Sequence, residues 1–297
     1  MKLINPSVEL ITQALGLEGI YKQVERVGRV CYKSEDKITE DSAKPFVERM
    51  IKSGHNAMLE HGTVYLAASY NNEDLLFWKV ANSPYSKGVC DDNTKMLCLT
   101  TNLRVIAELN AWEVIDKYLC EPTETHAKRI CLKFITSIGV SREFNRHRVA
   151  SVAEQSTRYC NYTKDKFNNE LTFIKPAWLD IPTGHYTYWD GDWCDVNEKK
   201  IQLPGEEHKD IDAFLWTLED AEREYTLLIN KGWQPQQARV VLPLATSTEV
   251  VYTAFEDDWR HFFSLRYRGT TGAPHPNAHQ VASMAHDLIL KELGKDL

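Results

Sequence analysis

Hydrophobic positions along this chain recur at two periods. Between 210 and 231, Ile211, Phe214, Leu215, Leu218, Tyr225 and Leu228 keep to one helical stripe, which predicts an amphipathic helix stopped by Gly232. The same spacing predicts a helix over 43–53, led by Asp41 or Ser42, with Pro45 in its first turn and Gly54 as its stop. Two more are predicted over 257–269 and 274–294, the last burying Val281, Met284, Leu288 and Leu290 or Leu293. Weaker helical patterning covers 17–27, 72–82, 102–120 and a short stretch from Pro235. Runs rich in β-formers predict strands near the start of the chain, at 27–32, 63–69, 130–140 and 240–255, and a short strand ending at Phe173 before Pro176. Residues 184–200 read as an aromatic and acidic loop.

Helices and strands follow one another without a regular βαβ beat, so the expected class is α+β, a mixed central sheet flanked by helices. With no repeat and no Gly/Ser- or Pro-rich linker, one domain over 1–297 is the simpler expectation.

Composition narrows the function classes. A chain with 43% hydrophobic and 26% charged residues has the makeup of an ordinary folded protein. Its net charge of −7 argues against a general nucleic-acid coat or a binder of anionic membranes, and leaves room for a local basic pocket. Cysteines 31, 90, 98, 120, 131, 160 and 194 form no CxxC pair, which suggests neither a disulfide framework nor a zinc ribbon. The opening MKLINPSVELITQALGL is interrupted by Pro6, Glu9 and Gln13, so neither a signal peptide nor a membrane span is expected, and a cytoplasmic location is.

The chemistry concentrates in RHRVASVAEQSTRY, residues 146–159, just past the 130–140 strand. Arg146, His147 and Arg148 in a row repel one another unless water or an anion compensates them. Glu154, Ser156 and Arg158 follow, which completes the inventory of a site for a phosphorylated, hydrogen-bonding ligand. No GxGxxG, GxxxxGK[ST] or GxSxG occurs, so the usual phosphate cradles and the hydrolase elbow are absent. Ser156, His147 and Glu154 are too close in sequence to favour triad geometry. His275 and His279 form HxxxH without the zincin glutamate, and no metal is expected.

RHR, seven residues, then Ser resembles the signature of the flavin-dependent thymidylate synthases. RVCY (29–32), GHNAMLEH (54–61), ARVVLPL (238–244) and WRHFFSLR (259–266) are similar to that family's further blocks, in the same order. The resemblance implies that family's fold, with 66–129 and 184–207 as insertions. It implies synthesis of dTMP from dUMP with methylenetetrahydrofolate as carbon donor and NADPH, through FAD, as reductant, in a homotetramer with active sites between subunits. Carried over residue by residue, Glu143, Arg146, Glu154, Gln155, Ser156, Thr157, Arg158, Arg239 and Arg266 correspond to dUMP contacts, with Arg266 against the pyrimidine as the catalytic arginine. His55, Ala57, Arg146, His147, Arg148, Val149, Glu154, His261 and His275 correspond to FAD contacts. Glu143 stands where the family often has Gln, and Phe255 where Asn commonly meets the flavin. Ser156 is read as a phosphate ligand, since no neighbouring base is arranged to activate it. A hydroxymethylating relative acting on dUMP and a non-catalytic nucleotide- or RNA-binding module are the alternatives.

Overall fold

The computed structural model describes residues 1–204 and 209–297; positions 205–207 of the expected 184–207 insertion lie outside the described residues. At its centre, four strands pair in the order Ser7–Leu10, Arg129–Ser137, Ser247–Phe255, Ser151–Glu154. Alternation sends successive side chains to opposite faces. Ile130, Leu132, Phe134, Val250, Tyr252 and Ala254 pack under the helices Glu256–Arg266 and Pro276–Leu293. Cys131, Ala153 and Val251 point the other way, onto Val27 and Val30 of the helix Gly16–Val30. Every pairing in this sheet is antiparallel. Parallel pairing lies elsewhere, between Lys2–Ile4 and Thr172–Ile174, in a small sheet completed by Gly184–His185.

That small sheet packs on the long helix Lys209–Asn230 through Leu3, Phe173, Leu215 and Leu218, and the helix ends at Gly232 with φ +92°, as its stripe predicts. The 184–200 stretch is more ordered than a loop, for Thr187–Trp189 and Asp192–Cys194 form an antiparallel ribbon in it. Within 66–129 the helices Leu75–Ala81, Leu103–Glu108 and Trp112–Tyr118 fall in the predicted stretches. The strands Lys87–Asp91 and Met96–Asn102 were not foreseen; Met96–Asn102 is the middle strand of an antiparallel sheet, paired with Thr63–Ser69 on one side and Lys87–Asp91 on the other. Leu66, Phe77, Leu99 and Ile106 share one core with Ile20, Val24, Phe46 and Val47, so this segment is packed into the N-terminal helices.

Three local expectations fail for identifiable reasons. The strand expected over 240–255 forms only from Ser247, because Arg239–Val241 is a 3-10 turn and Pro243 has no N–H to give a ladder. The strand expected at 27–32 is the end of the first helix, because Ile20, Val24, Val27 and Val30 sit on one buried stripe and that face outweighs their β-branching. The strand expected over 130–140 ends at Ser137, whose hydroxyl accepts from Val140 N at 3.3 Å and opens the short helix Ile138–Phe144. The cationic run therefore follows a helix, not a strand end. No helix among the described residues is long and apolar enough to cross a membrane.

Candidate active site

Glu154 ends its strand opposite Val250, and the chain then leaves the sheet. Gln155 N donates to Glu249 O at 2.8 Å, and Ser156 N to Cys31 O at 2.9 Å. A tight turn follows in which Tyr159 N and Cys160 N donate to Ser156 O, and Arg158 N donates to the Ser156 hydroxyl at 3.3 Å. Arg239, just past the short helix Pro235–Ala238, donates to Thr157 Oγ1 at 3.1 Å. These residues wall a pocket of about 580 Å³ that runs from Glu154 to Arg158, includes Arg239 and is floored by Leu242 and Leu244. The third arginine of the wall, Arg142, was not foreseen; its signal was the cation four residues after Ile138 on one helical face. Arg142, Arg158 and Arg239 are exposed, and among the described residues none has a carboxylate within 4.0 Å. Glu154 is fixed beside them, its Oε1 accepting from Ser141 Oγ at 2.7 Å and Thr248 Oγ1 at 3.1 Å. Three uncompensated guanidinium groups, a hydroxyl and a carboxylate make a cavity suited to a phosphate ester with a polar body.

A second cluster forms on another face of the same short helix. Arg266, in the last turn of Glu256–Arg266, donates to Glu143 O at 2.8 Å, to Glu143 Oε2 at 3.2 Å and to His147 Nε2 at 3.2 Å. His147 is buried, with its ring 4.9 Å from Phe262 and 5.9 Å from His261. Burial, with Arg266 and His261 adding repulsion, pushes its pKa down to about 4, so the ring is neutral and accepts from the guanidinium. Arg146, Arg148 and Val149 are exposed on the turn around it. The three members of RHR therefore do not act as one cationic face. His261 is exposed on its helix.

His55 and Ala57 stand in a third place. They line a pocket of about 470 Å³ with Tyr32, Phe46, Met58 and Tyr159, bounded by the 3-10 turn Asn56–His61. Gly54, at φ +71°, lets His55 N reach back to Met50 O at 2.9 Å. The rings of Tyr32 and Tyr159 lie 5.3 Å apart, and Tyr159 follows Arg158, so the 156–160 turn borders both pockets. His61 is fully buried beneath, its Nδ1 2.8 Å from Thr253 Oγ1, and burial with nearby Arg129 pushes its pKa down to about 3. His275 lines neither pocket; its Nδ1 accepts from Asn277 N at 3.2 Å as the cap of the last helix, beside Trp178. Ser156 has its hydroxyl on Arg158 N while His147 is taken by Arg266, so the serine carries no base.

Residues 100–292 match the family model described as thymidylate synthase complementing protein, a span that holds RHR, Ser156, Arg239 and Arg266 and leaves out His55 and Ala57. A flavin-dependent thymidylate synthase of Haloarcula marismortui is 32% identical over 118 residues, 38% of this chain and 45% of that protein. Another, of Pyrococcus furiosus, is 30% identical over 121 residues, 41% of this chain and 38% of that one. The chain thus spans less than half the length of each of these relatives. A solved UMP/dUMP methylase from Streptomyces cacaoi, bound with 5-Br dUMP, aligns over 98% of this chain and 93% of its own at 17% identity and a TM-score of 0.44.

Proposed function

The chain belongs to the thymidylate synthase complementing protein family, and from that membership we propose that it is a flavin-dependent thymidylate synthase converting dUMP to dTMP. The reading takes methylenetetrahydrofolate as carbon donor and NADPH, through FAD, as reductant, in a single cytoplasmic catalytic domain over 1–297 with 66–129 and 184–207 as insertions. The observation that carries it is the pocket from Glu154 to Arg158 with Arg239 and Arg142, whose unpaired guanidinium groups suit the phosphate of a nucleotide.

In this reading Arg158, Arg239 and the Ser156 hydroxyl hold the dUMP phosphate, and Glu154 orients the nucleotide. Arg266, steadied by the backbone oxygen and one carboxylate oxygen of Glu143, faces the pyrimidine and stabilises negative charge as it develops there. Ile138 and Arg142 face the phosphate pocket while Glu143 meets Arg266 on the helix's other side, and the homotetramer with sites between subunits is taken over from the family resemblance.

The His55 pocket fits a flat ring system. Its walls include the rings of Tyr32, Phe46 and Tyr159 and the thioethers of Met50 and Met58, together with Arg104 and Glu108, and the buried Asn56 Oδ1 has no hydrogen-bond partner among the described residues, an acceptor suited to a ring N–H donor. His55 and Ala57 would hold the FAD in this pocket, and Arg146, His147, Arg148, Val149, His261 and His275, which do not line it, would contact the FAD from a neighbouring subunit. When bound, the flavin supplies the reducing equivalents. The chain's residues bind, orient and exclude water.

The test is product analysis after the protein meets dUMP, methylenetetrahydrofolate, FAD and NADPH. dTMP supports the reading, and a hydroxymethylated nucleotide assigns the hydroxymethylase alternative instead. No product together with no uptake of flavin overturns it.

A further inference from the structure

Next to the His55 pocket lies another depression, of about 530 Å³, which shares Tyr32, Phe46 and Met50 with it. Its remaining wall is cationic, made by Arg29, Lys33, Lys37, Arg49 and Lys166, with Asp36 as the lining carboxylate. Two of these charges are compensated. Arg29 donates to the buried Glu25 carboxylate at 2.7 and 3.1 Å, and Lys33 pairs with Glu249. Lys37, Arg49 and Lys166 have no carboxylate within 4.0 Å among the described residues.

These three come from separate parts of the chain. Lys37 ends the 3-10 turn Glu35–Lys37, Arg49 lies on the helix Ala43–Lys52, and Lys166 is on the turn Asp165–Phe167. Lys166 Nζ is directed inward by Tyr32 O at 2.9 Å and Lys33 O at 3.3 Å, while the Arg49 guanidinium lies over the Phe46 ring at 5.3 Å. In a chain of net charge −7, convergence of unpaired cations around one depression is unfavourable without an anion to meet them. The solvated-surface explanation accounts for exposed lysines one at a time. It does not account for their convergence beside an aromatic wall shared with the neighbouring pocket.

We propose that this depression holds the multiply charged end of a co-substrate whose aromatic ring system lies along Tyr32 and Phe46, at the rim of the His55 pocket and against the flavin assigned there. The ligand class is a heterocycle carrying either a phosphate, as in a nucleotide reductant, or clustered carboxylates, as in a glutamylated folate. The assignment rests on the proposed synthase function, which supplies both kinds of co-substrate. Lys37, Arg49 and Lys166 are its binding residues.

The experiment uses the flavin-loaded protein and compares Lys37→Glu and Arg49→Glu with Lys44→Glu, an exposed lysine of the Arg49 helix that does not line the depression. Calorimetry measures binding of 2′,5′-ADP against ADP, and of polyglutamylated against monoglutamyl tetrahydrofolate. The expected result is about a tenfold or larger loss of affinity for one phosphate- or carboxylate-rich probe in both pocket variants, with Lys44→Glu unchanged. Loss for 2′,5′-ADP identifies the nucleotide phosphate; loss for the polyglutamate identifies the folate tail. Unchanged affinity for both probes, or no binding of either by the wild-type protein, overturns the proposal. Charge-dependent probe binding by a protein that makes no dTMP would keep the pocket and sink the synthase reading. dTMP formation with charge-independent probe binding would do the reverse.

Discussion

Arg266 grips Glu143 twice, through the backbone oxygen at 2.8 Å and the carboxylate at 3.2 Å, across 123 residues of sequence. The pair closes the Glu256–Arg266 helix onto the short helix Ile138–Phe144 and sets the guanidinium against His147.

Replacing Arg266 with Ala leaves the His147 ring without its donor and takes one donor from Glu143 O, which keeps Arg146 N at 3.4 Å, at a cost of about 1–3 kcal/mol in stability. dTMP formation is expected to be abolished while the purified protein keeps its flavin. Retained turnover would remove Arg266 from the mechanism; absorbance for flavin content and a single-turnover product assay read both quantities.

Arg158→Ala acts on binding. It removes an exposed guanidinium from the pocket wall without breaking any buried contact, so the fold should tolerate it. Loss of a charge-assisted contact of about 1.5–3 kcal/mol corresponds to roughly ten- to hundredfold weaker dUMP binding. Arg142→Ala, at the position the sequence did not flag, is expected to weaken dUMP in the same direction. Equal dUMP titrations for wild type and both variants would empty the pocket of its assigned ligand.

Two buried histidines make stability fall in acid. His147, at about 4, and His61, at about 3, both titrate below the ordinary histidine value, so the unfolded chain binds protons that the folded chain refuses. Their contribution is complete above about pH 6.5, the unfolded value. It is lost as pH drops from there toward 4 for His147 and toward 3 for His61, with a slope of at most about 1.4 kcal/mol per pH unit from each. Urea midpoints measured from pH 7.5 down to pH 4.5 should decline, and His147→Gln should flatten part of that decline. A wild-type midpoint independent of pH over this interval would contradict the burial of both rings.

Gly28 tests the helix pair that borders the His55 pocket. A Cβ there would stand 2.7 Å from the Phe46 ring, closer than packed carbon atoms come, so the buried ring or the helix that carries it would have to shift. Gly28→Ala is expected to destabilise the fold by about 1–3 kcal/mol through overpacking. Because Gly28 and Phe46 both line that pocket, flavin retention should fall with it. Thermal denaturation and the flavin-to-protein absorbance ratio measure the two effects, and an unshifted melting temperature would deny the close approach.

The long helices were legible because a buried stripe of Leu, Ile and Phe is written in local spacing, and Gly232 and Gly294 mark their ends at positive φ. The 154–158 turn was legible too, because its chemistry is contiguous and needs only one change of direction to face a single cavity. Local spacing could not reveal that Val27 and Val30 extend a helix, since β-branched residues suit either element until the sheet face against them decides. Nor could it separate His147, turned inward beneath Arg266, from Arg146 and Arg148 beside it, which face solvent. The sequence alone determined which residues carry charge and which stripes must be buried. Tertiary structure decided which charges meet, because partners such as Arg266 and Glu143, or Arg239 and Thr157, depend on helix orientation and strand register established by the packed core.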